Sequence, residues 1–179
     1  MKKAAAYKAI NELSLKGEIV VFGSTYMANF PFYELINRSR LERAVYNRSI
    51  PGLTLPEALE IVDDCVLSIR PSKIFLALGE EDLSSANAFA DYKKLVHTIR
   101  ESLPGSSLYL IELLSDSDAA KAFNRQITSL CDQKNVFPLD LSITGCPKIT
   151  QYKEQFLEMS RFFRCKPITF ADAFAAAAL

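Results

Sequence analysis

Five short, almost continuously apolar runs alternate with segments of helical spacing along the chain. The runs cover residues 18–22, 44–46, 73–78, 107–111 and 135–139. Each has the length of a strand, and continuous apolar character is typical of strands buried on both faces of a parallel sheet. Between the runs, apolar residues recur at helical intervals over 55–66, 89–103 and 119–130. This alternation predicts right-handed βαβ units and an α/β fold with a doubly wound parallel sheet.

Length and charge narrow the class of protein. The 179 residues, 49% of them hydrophobic, predict one domain spanning 1–179 with a substantial core. Twenty-one basic residues balance 21 acidic ones, so no charge excess favours nucleic acid or an anionic membrane surface as partner. The basic start lacks the apolar region of a signal peptide, and no apolar run is long enough for a membrane span. We therefore expect a soluble, cytoplasmic protein.

Metal and cofactor motifs are scarce. The four cysteines are widely spaced without a Cys-x-x-Cys pair, and a single histidine offers them no zinc-type partner set, so reduced, mostly buried thiols are expected. The carboxylates of 80–82 follow a strand, but without matching ligands elsewhere a metal site is disfavoured. Neither a dinucleotide-binding glycine motif nor a Walker-type lysine occurs. The sequence thus predicts no metal and no cofactor.

The scarce glycines mark one edge of the predicted sheet. Of six glycines, Gly23 and Gly79 directly follow the first and third apolar runs, and Gly52 lies in the loop after the second. The carboxyl ends of parallel strands carry the ligand site in open α/β sheets. Glycine there permits tight turns and close approach of a ligand to the backbone. The glycine pattern alone is compatible with two explanations: a ligand site at this edge, or tight turns that need glycine without any ligand.

The residues around these glycines resemble three sequence blocks of the SGNH/GDSL esterases and lipases. Residues 20–25 are similar to the first block, a strand followed by Gly-Asp-Ser; 47–54 are similar to the second block; and 74–83 are similar to the third, Gly-x-Asn-Asp-Leu. The resemblance implies a three-layer α/β/α, flavodoxin-like fold whose five parallel strands have the order 2-1-3-4-5. It also implies an acylhydrolase acting on small acyl esters.

The resemblance also implies which residues form the site. Thr25 takes the position of the nucleophile, and Ser24 precedes it. In such a site, backbone N–H groups and an asparagine amide stabilise the negative oxygen of the tetrahedral intermediate. The positions implied for this oxyanion-binding pocket are Asn47, Gly52, Gly79, Glu81 and Asp82.

Several of these positions depart from the family pattern. Thr25 replaces serine, and its extra methyl group crowds a serine-shaped site, while Ser24 replaces the aspartate. Glu81 replaces the asparagine, and a carboxylate there repels a developing oxyanion instead of donating to it. Glu81 could donate only if protonated, which requires an unusually dry pocket.

The largest departure concerns the catalytic base. The family takes histidine and aspartate from an Asp-x-x-His motif near the C-terminus, whereas residues 172–175 have alanine in the histidine position. Atypical C-terminal helices over 146–179 are expected in place of that motif. The only histidine, His97, lies in a helix predicted to begin near Ser85, roughly 18 Å from the sheet edge. We therefore expect His97 to be a surface or packing residue.

Three functional hypotheses remain open at this point. The first is a degenerate SGNH hydrolase, with hydrolysis lost or very weak and a pocket that still binds a small molecule. The second is an active ester hydrolase with Thr25 or Ser24 as nucleophile and Glu81 as an unorthodox base. The third is a non-catalytic interaction module whose apolar tail, 171–179, docks on a partner or a second copy. Arg48, beside the predicted edge, is expected to pair with Glu80 or Glu81, or to bind an anion.

Overall fold

Five parallel strands form the central sheet of the protein. The structure is a computed structural model that describes residues 2–39, 43–143 and 148–163. The strands are β1 (Ile19–Gly23), β2 (Val45–Asn47), β3 (Lys73–Ala77), β4 (Ser107–Ile111) and β5 (Val136–Leu139). They pair in the order β2-β1-β3-β4-β5, and every pair is parallel. The predicted strands and strand order are confirmed.

Helices connect and cover the strands. They are α1 (Lys2–Asn11), α2 (Thr25–Ala28), α3 (Phe32–Ser39), α4 (Leu55–Cys65), α5 (Ala88–Ser102), α6 (Asp118–Thr128) and α7 (Lys148–Ser160), with a 3-10 turn over Leu67–Ile69. The three helices predicted between strands are α4, α5 and α6, and α5 begins three residues later than expected. Within the described ranges, none of the helices combines the length and the apolar character that crossing a bilayer requires.

Two apolar layers, one on each face of the sheet, complete a three-layer architecture. Val20, Phe22, Ile74 and Leu76 pack with α1, α4, α5 and α6 on one face. Residues of the opposite parity, including Val21 and Phe75, pack with α2, α3 and α7 on the other. Successive strand residues point to opposite faces, so continuous apolar runs are needed to bury both. The predicted α/β/α arrangement is confirmed.

Backbone pairing beyond the strands gathers three loops at the carboxyl edge of the sheet. Gly23 lies opposite Ala77, and the N–H of Ser24 donates to the carbonyl of Ala77 at 3.0 Å. The N–H of Ile50 donates to the carbonyl of Gly23, also at 3.0 Å, which extends the β1–β2 pairing past the end of β2. The segments that follow β1, β2 and β3 therefore meet at one place.

Arg48 holds α1 against the sheet. Its guanidinium is buried, with 6% of the residue exposed, and it donates to Asn11 Oδ1 at 2.8 Å and to Ser14 Oγ at 3.1 Å. It also lies 5.1 Å from the ring centres of both Tyr7 and Tyr46. The expectation that Arg48 pairs with Glu80 or Glu81, or binds an anion at the edge, is therefore wrong. The guanidinium is instead surrounded by aromatic rings and neutral oxygens. Three of these groups, from Tyr7, Asn11 and Ser14, belong to the N-terminal segment.

Replacing Gly79 with alanine should destabilise the fold. Gly79 has φ of +110°, and a Cβ atom there would lie 2.4 Å from Cε1 of Phe123. We expect Gly79→Ala to lower the free energy of unfolding by about 2 kcal/mol in urea titrations, because the backbone and the Phe123 ring must both shift. Gly105→Ala is the matched control, since a Cβ there meets nothing within 4 Å. Equal losses in the two variants would contradict this account.

Candidate functional site

The turn from β1 into α2 places two hydroxyl side chains at the carboxyl edge. Gly23 allows this turn, because a Cβ atom there would lie 2.7 Å from the Ala77 carbonyl oxygen and 2.9 Å from Met27 Cβ. Ser24 is the N-cap residue of α2 and is fully buried. Thr25 is the first residue of that helix. The predicted nucleophile position thus lies at a strand-to-helix turn, as expected.

The Thr25 hydroxyl is bound on both sides by other parts of the chain. It donates to Oε1 of Glu81 at 2.7 Å. It also accepts the backbone N–H of Gly52 at 2.9 Å. Gly52 has φ of +70°, a conformation that favours glycine and that turns its N–H toward the end of β1. One hydroxyl group therefore links the loops that follow β1, β2 and β3.

Ser24 uses the same carboxylate. Its buried Oγ donates to Glu81 Oε1 at 3.1 Å, so a single oxygen of Glu81 accepts hydrogen bonds from both hydroxyls. Residues 24 and 25 are adjacent, but α2 begins between them, and the turn brings both side chains to one side. Either hydroxyl can therefore give its proton to Glu81, and neither is free in this arrangement.

Glu80, which the sequence suggested only as part of a carboxylate cluster and as a partner of Arg48, lies against the start of α2. Its Oε1 accepts the backbone N–H of Tyr26 at 3.1 Å. Burial raises the pKa of Glu80, and the neighbouring negative charge of Glu81 raises it further, while hydrogen bonds from Tyr26, Thr25 and Ser24 lower it. The backbone N–H of Tyr26, in the first turn of α2, is thus already bound to a carboxylate. Nothing in the sequence pattern signalled this contact.

The other implied pocket residues bond to or pack against other parts of the chain and support the loops of the site. Asp82 is buried, and its two carboxylate oxygens accept the N–H of Leu55, the first residue of α4, at 3.2 and 3.0 Å. Burial raises the pKa of Asp82. Asn47 donates to the carbonyl of Met27 at 2.8 Å and accepts the N–H of Ser49 at 3.0 Å. Gly79 is buried against Phe123. The structure therefore brings together Ser24, Thr25, Gly52 and Glu81.

His97 lies on the outer surface of α5. Its side chain is 70% exposed, and its Nε2 is 3.0 Å from a carboxylate oxygen of Glu101. Nine residues separate it from the first residue of the helix, about 14 Å along the axis. The expectation of a surface histidine is confirmed. Residues 172–175, which replace the Asp-x-x-His motif, lie outside the described residues. Within the described ranges, no three metal-ligating side chains are grouped to hold a metal ion.

Comparisons with known proteins identify the fold. No family model matches the sequence, and no curated protein matches it closely. Solved structures do match. A Streptococcus pneumonia protein, described provisionally as a platelet activating factor, aligns with a TM-score of 0.77 at 17% identity, over 91% of this chain and 92% of that one. A GDSL-like lipase from Bacteroides thetaiotaomicron aligns with a TM-score of 0.72 at 11% identity, over 89% and 96%.

A third match extends the comparison to carbohydrate esterases. A family 3 carbohydrate esterase from Clostridium thermocellum aligns with a TM-score of 0.61 at 15% identity, over 80% of this chain and 94% of that one. The chain has the GDSL/SGNH hydrolase fold. At these identities the similarity establishes the fold alone, and the chemistry of the site has to be argued from its own side chains.

In the GDSL/SGNH fold of this chain, a cleft lined by several carboxylates adjoins Tyr26, the residue that follows Thr25. A cavity of about 500 Å³ is lined by Tyr26, Glu112, Asp140 and Gln155 among others, and a smaller one of about 180 Å³ includes Glu80. Burial, followed by the charge of Asp140, raises the pKa of Glu112. Burial also raises the pKa of Tyr26 to about 12, and its hydroxyl donates to Gln155. The cleft is large enough for a small polar molecule.

Glu80→Gln should stabilise the protein near neutral pH. The pKa of Glu80 is raised in the folded state, so the folded state holds this proton more tightly than the unfolded state does. Glu80 therefore adds to the free energy of unfolding at low pH. This contribution is lost as the pH rises from about 4.5, the ordinary pKa of a glutamate, through the raised pKa that Glu80 has in the folded state. The glutamine removes the buried charge and keeps an oxygen that accepts the Tyr26 N–H.

Thermal unfolding between pH 4 and pH 8 measures this effect. We expect Glu80→Gln to melt a few degrees higher than the wild type at pH 8, and the difference to shrink toward pH 4. Glu60→Gln, at an exposed position of α4, is the matched control and should leave the profile unchanged. A variant that is less stable than the wild type at pH 8 would show that Glu80 contributes through its charge.

Proposed function

We propose that this protein is an impaired homologue of the GDSL/SGNH ester hydrolases, with a site that binds a small ligand and hydrolyses acyl esters weakly or not at all. The observation that carries the proposal is the Thr25 hydroxyl, which is held between the Gly52 N–H at 2.9 Å and the Glu81 carboxylate at 2.7 Å. The hydroxyl thus fills the place where the oxygen of a substrate carbonyl would have to bind.

Stabilisation of an oxyanion requires free donors. Hydrolysis of an ester places negative charge on the carbonyl oxygen, and preorganised N–H groups must be available to receive it. Here the N–H of Gly52 donates to the Thr25 hydroxyl at 2.9 Å, and the N–H of Tyr26 donates to a carboxylate oxygen of Glu80 at 3.1 Å. Loss of one such donor typically costs about 10²- to 10³-fold in kcat. Occupation of the Gly52 N–H is therefore enough by itself to suppress most of the rate.

The charges at the site oppose the reaction further. Glu81 contacts both hydroxyls, and Glu80 lies at the start of α2, so both carboxylates adjoin the point where the oxyanion would form. Two like charges about 4 Å apart repel each other by about 4 kcal/mol at an effective dielectric constant of 20. Such a repulsion corresponds to about a thousandfold loss of rate. The site is therefore better suited to bind a ligand than to stabilise an anionic transition state.

Activation of the nucleophile is also unsupported. A hydroxyl nucleophile needs a base whose pKa lies near the working pH, and imidazole is the usual choice. The single histidine of the sequence is exposed on α5 and paired with Glu101. The available acceptor of the Thr25 proton is Glu81, and carboxylates are much weaker bases than imidazole.

The rival function is an active ester hydrolase with Thr25 as nucleophile and Glu81 as base. The distance of 2.7 Å between Thr25 Oγ1 and Glu81 Oε1 favours it, because this is the contact that a nucleophile–base pair makes. The same hydrogen bond is thus compatible with both functions: it can hold the Thr25 hydroxyl in place, or it can activate that hydroxyl as a nucleophile. The interaction-module hypothesis depends on residues 171–179, which lie outside the described residues, and stays a prediction.

Turnover of p-nitrophenyl acetate separates the two functions. Under the proposal, wild-type turnover does not exceed that of the Ser24→Ala, Thr25→Ala double variant, and a fluorophosphonate probe labels neither hydroxyl. Glu81→Gln then leaves turnover unchanged or raises it, because a repelling charge is removed. Under the rival function, Glu81→Gln lowers turnover about 10²-fold or more, as expected for loss of a general base.

Two results would overturn the proposal. One is a covalent adduct on Thr25 or Ser24 in mass spectra of probe-treated protein. The other is turnover that the double variant and Glu81→Gln both abolish. Glu60→Gln, at an exposed position of α4, is the control for the removal of a negative charge. Its turnover should equal that of the wild type.

A further inference from the structure

We propose that a second cleft, at the end of the sheet opposite the candidate functional site, binds a small anion that carries an apolar body. This second cleft is a cavity of about 590 Å³ between α5 and the segment that joins α6 to β5. Pockets that bind small molecules usually have volumes of about 300 to 1,000 Å³. Val136, the first residue of β5, lines the second cleft, which places it at the amino ends of the strands. The described residues that line it differ from those that line the cavities beside Tyr26.

The buried residues that line the second cleft are apolar. Val96 and Val136 are 7% and 3% exposed, and Leu130 is half-buried. Val96 and Val136 belong to the core cluster on this face of the sheet, and Leu130 packs against it. The hydrocarbon part of a ligand that lies against these three side chains loses contact with water, which favours binding.

One side of α5 brings basic residues to the same cleft. Lys93, His97 and Arg100 recur at intervals of four and three residues, so helical geometry places them along one side of α5. All three line the cleft, and so does Lys94, which is exposed. The basic side chains therefore border the apolar cleft itself and not a separate surface of the helix.

Asp132 is the one carboxylate among the described residues that line the second cleft, and it is bound to the backbone. Its Oδ1 accepts the N–H groups of Lys134, Asn135 and Val136 at 2.9, 2.8 and 2.8 Å. These hydrogen bonds, and to a smaller extent the charge of Arg100, lower the pKa of Asp132 to about 2, so the carboxylate is ionised at neutral pH. Its negative charge offsets the positive charge of Arg100.

Lys93 and Lys94 supply the net positive charge of the second cleft. Among the residues that the structure describes, neither of them belongs to an ion pair. Any positive charge on His97 is balanced by the carboxylate of Glu101, which lies 3.0 Å from its Nε2. The two lysine ammonium groups are thus available to a negatively charged ligand.

The combination of an apolar lining and two free ammonium groups defines the class of ligand. A neutral hydrophobic molecule would leave the lysines without partners, and a small inorganic anion would leave the apolar side chains uncovered. Lysine binds anions as a flexible point charge, so a carboxylate, a sulfonate or a phosphate can serve as the anionic group. The ligand is therefore an anion with a hydrocarbon body, such as a medium-chain carboxylate.

Calorimetric titration of the full chain with octanoate tests the proposal. We expect octanoate to bind with one-to-one stoichiometry. Octanol lacks the charge and acetate lacks the hydrocarbon chain, so each should bind at least about fivefold more weakly than octanoate. Salt at about 0.5 M should weaken octanoate binding, because it screens the lysines.

A pair of lysine variants tests the assignment of the charge. Lys93→Gln, Lys94→Gln should bind octanoate about fivefold more weakly than the wild type, because it removes both ammonium groups from exposed helical positions. Lys2→Gln, Lys3→Gln is the matched control, since it removes two adjacent exposed lysines of α1 that do not line the cleft. The control should bind octanoate as the wild type does.

NMR spectra with octanoate locate the ligand. The methyl signals of Val96, Leu130 and Val136 should shift as octanoate is added. Three results would overturn the proposal: no octanoate binding by the wild type, equal losses in the two lysine variants, or shifts confined to residues at the carboxyl edge of the sheet. None of these results depends on whether the candidate functional site hydrolyses esters.

Discussion

The close approach of β1 to β3 at Gly23 and Ala77 determines the geometry of the site. Because Gly23 has no side chain, the backbone of β1 can turn directly over the Ala77 carbonyl, to which the Ser24 N–H is bonded at 3.0 Å. That turn brings Ser24 and Thr25 to the loop after β3, where Glu81 lies. A side chain at residue 23 would separate the two strands and with them the three loops of the site.

The chain retains the GDSL/SGNH fold while the hydrogen-bonding groups of its edge are satisfied internally. In a hydrolase, such an edge offers N–H donors to a substrate oxygen. Here the N–H of Gly52 is bound to the Thr25 hydroxyl, and the N–H of Tyr26 is bound to Glu80. Folding and catalysis place different demands on the same groups, because a satisfied donor stabilises the fold and an unsatisfied one is needed for chemistry.

Arg48 links the sheet to the N-terminal helix. Among the contacts of Arg48 that the structure describes, none is with a carboxylate. A buried guanidinium is costly unless its donors and its charge are compensated. Asn11 and Ser14 satisfy the donors, and the rings of Tyr7 and Tyr46, each 5.1 Å away, face the charge. The same contacts fix the rotation of α1 and therefore decide which of its apolar residues face solvent.

The sequence by itself determined the strands, the connecting helices and the edge at which Ser24, Thr25, Gly52 and Glu81 meet. Apolar periodicity is local and reports burial directly, and the resemblance to known blocks set the strand order. Tertiary structure alone decided the partners of polar groups: Glu80 on the start of α2, Arg48 against α1, and the Gly52 N–H on Thr25. Hydrogen-bond partners distant in sequence depend on side-chain direction and close packing, and no local pattern of residues encodes either of these.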